Sequence, residues 1–276
     1  MSHALQSYHW GPLQPGKGWG STRFYIAHRP ARTLIVLVHG FLSKSDKTWP
    51  DTDFLMIRDD IFDEADIVLW DYNSTTGNIP SEVNNLRKAI DATWVLGPQI
   101  VQRQLRRLKV DSPPSRSYER LILVGYSLGG YLVRACALRA SRDVTPPGWI
   151  AELRLALFAP AHLGARIIGA FRTDGGILDG VKKWFRRNTA RAADVLVARS
   201  RYLTTLKRRT ETLHAAGKVT LAARTILFGS DESVVFVGGF TCDPAEVRSA
   251  GRHHGNVQRS NDTYQAPVDT LEALLP

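Results

Sequence analysis

The stretch from Leu121 to Leu138 constrains this chain more than any other. An aliphatic run, Leu121 to Gly125, passes straight into Gly125-Tyr126-Ser127-Leu128-Gly129, and apolar residues then recur at helical spacing through Leu132, Cys136 and Leu138. That order predicts a buried strand, a tight turn and a helix. A serine at the tip of such a turn leaves no room for side chains two residues away, and glycine supplies the space on both sides. The helix N-terminus behind the serine favours developing negative charge. Strand, serine and helix in this order are the setting of a nucleophile elbow, whereas the five residues alone read equally well as a tight packed turn.

Around this element the pattern alternates apolar strand-like runs with helical ones. Strands are expected at Thr33 to Val38, Asp66 to Tyr72, Leu121 to Gly125, Leu153 to Phe158 and Thr225 to Gly229. The alternation implies an α/β architecture with a mainly parallel sheet. Pro98 to Leu108 has helical spacing, and Gly97-Pro98 is expected to open that helix because proline suits a first turn. Ser81 to Leu96 reads as helix or irregular excursion, Asp111 to Ser117 as a loop, and Pro267 to Leu275 as a final helix. With 276 residues and 43% hydrophobic content the chain can bury one sizeable core, so a single domain is expected over 1–276.

A serine hydroxyl is a poor nucleophile until a base removes its proton, and a tetrahedral oxyanion needs two amide donors already in place. Leu128, directly after the serine, is one donor candidate. Phe41, in His39-Gly40-Phe41 at the end of the first strong strand, is the other. For the base and its carboxylate the downstream order serine, acid, histidine leaves few residues. The acid candidates, Asp231 and Glu232, share the loop after Gly229, and the histidine candidates, His253 and His254, share the segment Gly251 to Val257.

From Thr33 to about Leu275 the chain resembles the lipase and esterase branch of the α/β hydrolases. It is most similar to the serine-active-site-containing (SERAC-like) and inositol-deacylase-like proteins. The residues that carry the likeness are His39-Gly40-Phe41, Thr48-Trp49, Asp71-Tyr72, Gly125-Tyr126-Ser127-Leu128-Gly129-Gly130 and Ala159-Pro160-Ala161-His162-Leu163-Gly164. The resemblance implies an α/β-hydrolase fold with a helical cap inserted at about 164–218, and cleavage of carboxylic esters, lipid esters included, through an acyl-enzyme on Ser127. It puts the acid three residues after the strand-ending glycine and two before a Val-Val pair, at Glu232, where aspartate is usual; Asp231 is the alternative. A histidine followed by two small residues and an aliphatic one falls on His254, with His253 as the alternative. His162 is expected in a loop at the site entrance. Acyl transfer by the same residues, or a hydrolase-like scaffold that only binds, are the rival readings.

The formal charge of +10 favours anionic partners. Between Lys182 and Arg209 ten basic residues face one acid, Asp194. This basic run 182–209 reads either as a cap helix with a solvated cationic face or as an interfacial lid touching anionic membrane. No nucleic-acid recognition module is recognisable. Neither the cysteines, Cys136 and Cys242, nor the histidines have metal-ligand spacing, so no metal or cofactor is expected. The cysteine usage suits a reducing, cytoplasmic compartment. The N-terminal residues do not read as a signal peptide, and Leu34 to Val38, the longest purely apolar run, falls far short of the roughly 20 residues a spanning helix needs.

Overall fold

A computed structural model describes residues 3–7, 22–27, 29–49, 60–107, 117–166 and 194–276. Among them eight strands form one sheet. These are β1 (His3–Ser7), β2 (Arg23–Ala27), β3 (Thr33–Val38), β4 (Ala65–Trp70), β5 (Arg120–Tyr126), β6 (Leu153–Phe158), β7 (Ala223–Gly229) and β8 (Val247–Ser249), in the order β1-β2-β4-β3-β5-β6-β7-β8. The pairs β1–β2 and β2–β4 are antiparallel, and every pair from β4 to β8 is parallel. The main helices are α1 (Ser45–Thr48), α2 (Ile79–Arg107), α3 (Leu128–Ala140), α4 (Arg201–Ala215) and α5 (Ala266–Glu272).

All six residues of β3 and all six of β4 are buried. A parallel strand covered on both faces needs a continuous apolar run rather than an alternating one, which is why these segments are legible as strands. The chain lays β4 on one side of β3 and β5 on the other, so the strand order reverses between β3 and β5. At such a point the connections diverge and a crevice opens beyond the carboxyl ends of the strands. Register pairs Val38 with Gly125, so the turns leaving β3 and β5 emerge side by side.

The start of α2 differs from expectation. Asn78 Oδ1 accepts the Ser81 amide at 3.1 Å, and the Asn78 carbonyl accepts the Glu82 amide at 2.9 Å. This cap opens the helix well upstream, and α2 continues unbroken through Gly97 and Pro98. An internal proline removes one backbone donor, which a 29-residue helix absorbs. Gly97 serves packing instead: a Cβ there would stand 3.1 Å from the Tyr118 ring. The final helix stops at Glu272, short of Leu275. Residues 111–116 of the expected loop lie outside the described residues, as do 167–193 of the expected cap. The described remainder of that span includes α4, which buries Leu203, Leu206 and Thr210. No described helix is long and apolar enough to cross a membrane.

Behind the sheet ends, one buried ion pair joins four elements. Arg134 of α3, 1% exposed, pairs with Asp243 and stacks its guanidinium 4.3 Å over the Phe240 ring. Its Nε donates to His162 Nδ1 at 3.1 Å. Asp243 also accepts the amides of Ala223 at 2.8 Å and Phe240 at 2.7 Å, which fixes the start of β7 and the loop beyond it. His162 therefore does not line an entrance. It is fully buried, with Nε2 donating to the Gly238 carbonyl at 2.8 Å. Burial and the Arg134 charge hold its imidazole neutral, far below its usual pKa.

Burial alone would raise the Asp243 carboxyl, but the charge of Arg134, its hydrogen bond and the two amides outweigh that and lower it. A lowered folded pKa gives stability that is fully present above the ordinary carboxylate range and is lost as the pH falls through the lowered value. Asp243→Ala should destabilise the fold at neutral pH by about 3–5 kcal/mol, because it strands a buried guanidinium. Urea unfolding measures this, and below about pH 4 the wild-type advantage should shrink.

Candidate active site

Ser127 occupies the junction of β5 and α3 with φ 53° and ψ −118°. A side chain in this sparsely populated region costs about 1–3 kcal/mol and persists only where the surroundings impose it. Here the Ser127 amide donates to the Phe158 carbonyl at 3.0 Å, and the Ser127 carbonyl accepts the Ala161 amide at 2.9 Å. The turn is thus locked to the end of β6, and the hydroxyl is aimed out of the helix.

His254 Nε2 lies 3.1 Å from Ser127 Oγ, and its Nδ1 lies 3.1 Å and 3.0 Å from the two carboxylate oxygens of Glu232. An ionised carboxylate has no proton to give, so Nδ1 donates, and neutral Nε2 is left to accept from the serine. The Glu232 side chain is fully buried, and Oε1 also accepts the amides of Val234 at 2.8 Å and Val235 at 3.0 Å. Burial works to raise this carboxyl. The hydrogen bond from His254, that residue's charge and the two amides prevail and hold it below its ordinary value.

The neighbours of these two residues are placed elsewhere. Asp231 is exposed, and its amide donates to the Arg252 carbonyl at 3.0 Å. His253 is exposed too, and its Nδ1 accepts the Gly255 amide at 3.1 Å within its own turn. Of each adjacent pair, one side chain joins the hydrogen-bonded line that ends on Ser127 and the other is turned to the surface.

The His254 loop is held by a residue that sequence reasoning passed over. The Tyr126 hydroxyl donates to the His254 carbonyl at 2.8 Å, and the two rings lie 5.2 Å apart. Burial raises the pKa of that phenol and keeps the donor protonated. Tyr126 is the unspecified residue before the serine, so no spacing rule points to it. Trp49 packs edge-on against it at 6.3 Å, which gives the Thr48-Trp49 dipeptide a place in the site wall.

On the other side of Ser127 stands the turn after β3. An added Cβ on Gly40 would come within 2.9 Å of Ser127 Cβ, and one on Gly129 within 2.2 Å of the Val38 carbonyl oxygen. These close approaches bring the turn that carries Phe41 against the turn that precedes Leu128, the first residue of α3. Beneath them His39 is fully buried, with Nε2 2.8 Å from Asp71 Oδ1 and Nδ1 2.9 Å from the Gly40 carbonyl. Its ring stacks on Tyr72 at 4.3 Å, and the Tyr72 hydroxyl donates to the His39 carbonyl at 3.0 Å. An open groove of about 380 Å³ adjoins this turn, lined in part by Leu42, Lys44, Lys47 and Tyr72. Among the described residues no group of three or more His, Cys, Asp or Glu side chains is arranged to hold a metal ion.

Fold and site together define an α/β-hydrolase fold with Ser127 at the tight turn between β5 and α3. Residues 28–244 match the family described as "Putative serine esterase (DUF676)", and the chain belongs to that family. No curated protein matches the sequence. Among solved structures the chain is similar to the mature lipase BlEst2 of Bacillus licheniformis, at 12% identity and a TM-score of 0.54 over 88% of this chain and 92% of that one. It is similar also to a fungal esterase from Rhizomucor miehei, at 16% identity and a TM-score of 0.53 over 98% and 81%. A third is esterase B from Lactobacillus rhamnosis, at 10% identity and a TM-score of 0.52 over 99% and 85%. At these identities the likeness is one of fold.

Ser127→Gly and Ser127→Ala both delete the hydroxyl, but only glycine relieves the backbone. The glycine variant should be the more stable of the two by about 1 kcal/mol, the strain released less the flexibility gained by the unfolded chain. Thermal unfolding of the pair checks this; equal midpoints would mean an unstrained turn.

Proposed function

We propose that this protein hydrolyses carboxylic esters through an acyl-enzyme on Ser127. The observation that carries the reading is the continuous hydrogen-bonded line from Ser127 Oγ through His254 to buried Glu232, at the tip of a strained elbow. In the first step Oγ bonds to the carbonyl carbon while its proton passes to His254 Nε2, and the carbonyl electrons move onto oxygen. The amides of Phe41 and Leu128 receive that oxyanion. Glu232 holds the imidazole in the required tautomer and offsets its charge once it is protonated.

Collapse of the intermediate breaks the ester C–O bond, and His254 returns its proton to the departing alkoxide. A water molecule then gives a proton to the same Nε2 as it attacks the acyl carbon. The second collapse frees the carboxylic acid and restores the serine hydroxyl. Leu42, next to Phe41 and 48% exposed, supports an ester with an apolar portion, lipid esters included. The segment about 164–218 stands in this reading as a cap beside the site, and the free cysteines Cys136 and Cys242 support a reducing compartment.

A fluorophosphonate should label the wild type, and label and p-nitrophenyl ester turnover should both vanish in Ser127→Ala. A folded wild type that neither labels nor turns over would remove the proposal. Glu232→Gln keeps the shape but loses the charge and the tautomer control, so kcat should fall by about 10⁴-fold, as for the equivalent change in a serine protease triad. Asp231→Asn should leave kcat within about twofold, since exposed substitutions away from special features have small effects.

A further inference from the structure

We propose that the groove between α3 and α4 is a binding site for a phosphate-bearing anion, separate from the serine site. Tyr131, Ala135, Leu138 and Arg142 recur at three- and four-residue spacing and so share one face of α3 and its C-terminal extension. Across from them α4 presents Arg201, Tyr202, Thr205, Leu206 and Arg209, and the space enclosed is about 400 Å³.

Arg142, Arg201 and Arg209, all exposed, line this space beside Arg139 and form no ion pair among the described residues. Arg32, Arg87 and Arg134, by contrast, each have a carboxylate partner: Glu119 for Arg32, Asp143 and Asp91 for Arg87, and Asp243 for Arg134. Asp143, next to Arg142 in sequence, is already engaged by Arg87. A cation near the C-terminal end of α3 is locally favourable, which accounts for Arg142. Arg201, in the first turn of α4, is not explained in that way, because the helix dipole opposes a positive charge there. An anion in the groove would offset both the dipole and the mutual repulsion of the guanidinium groups.

A second observation points the same way. Tyr131 is only 6% exposed, it lines the groove, and its hydroxyl makes no hydrogen bond among the described residues. Burial pushes its pKa up to about 12, so the hydroxyl stays protonated and can only donate to an anion. Guanidinium forks together with a phenol donor match the several oxygens of a phosphate monoester, each contact being charge-assisted. Such a group could arrive free in solution or on a lipid head group, and the chemistry of recognition is the same.

The test is binding of glycerol 3-phosphate by calorimetry, beside sedimentation with phosphatidylcholine vesicles with and without phosphatidic acid. Arg142→Gln/Arg209→Gln is compared with Arg208→Gln/Lys218→Gln, a double variant that removes the same charge outside the groove. Binding should fall by about a hundredfold in the first, tenfold for each charge-assisted contact, and by no more than about twofold in the second. Binding of both probes with this pattern identifies a phosphate site open to soluble ligands, and binding of the vesicles alone identifies a lipid head-group site. Equal losses in the two double variants, or no binding to either probe by protein with wild-type thermal stability, would overturn the proposal. Turnover of a short neutral ester should be unchanged in both variants, which separates this site from the serine chemistry.

Discussion

The parallel pairing of β3 with β5 is the constraint on which the rest of the structure depends. Because Val38 and Gly125 are register partners, two chain segments far apart in sequence leave the sheet at the same level. Everything near Ser127 follows from that adjacency. Gly40 can lie against Ser127 Cβ, and Gly129 against the Val38 carbonyl, only because neither carries a side chain. The buried His39–Asp71 contact and the Tyr72 hydroxyl then hold the neighbouring turn from below. A shift of one residue between these strands would break the Val38–Gly125 register and move the turn that carries Phe41 away from the turn that carries Leu128.

The loops that carry the other two groups are fixed by different means. Glu232 follows β7, whose start is tied to α3 through Asp243 and Arg134. His254 is tied to the elbow through Tyr126. Ser127, Glu232 and His254 are thereby all referred to one rigid pair, the end of β5 and the start of α3. The proposed acyl transfer would depend on that preorganisation, since a misplacement of about 1 Å can cost a hundredfold in rate.

Much of this was legible in the sequence, for local reasons. The elbow announces itself because strand, turn glycines and helix are contiguous, and the central strands because burial on two faces demands unbroken apolar runs. The choice between Asp231 and Glu232, or His253 and His254, is not a local matter. Adjacent residues in a loop point in different directions, and the packing of β7 and the Tyr126 tether decide which of each pair turns inward. β2 went unnoticed because Arg23–Ala27 is short and its polar start gives no clear period. Gly97-Pro98 misled for the opposite reason: a strong local signal for a helix start was overridden by a cap at Asn78 and by packing against Tyr118. His162, placed by likeness at an entrance, was claimed by a buried cation that no spacing rule reveals.

Ser127 and His254 are separated by 127 positions along the chain, yet their side chains meet at 3.1 Å. The two side chains ride on segments that meet only through the sheet and the loop that carries His254, so a chain in which that loop has not docked on β5 lacks the contact, and the contact reports on assembly across most of the described fold.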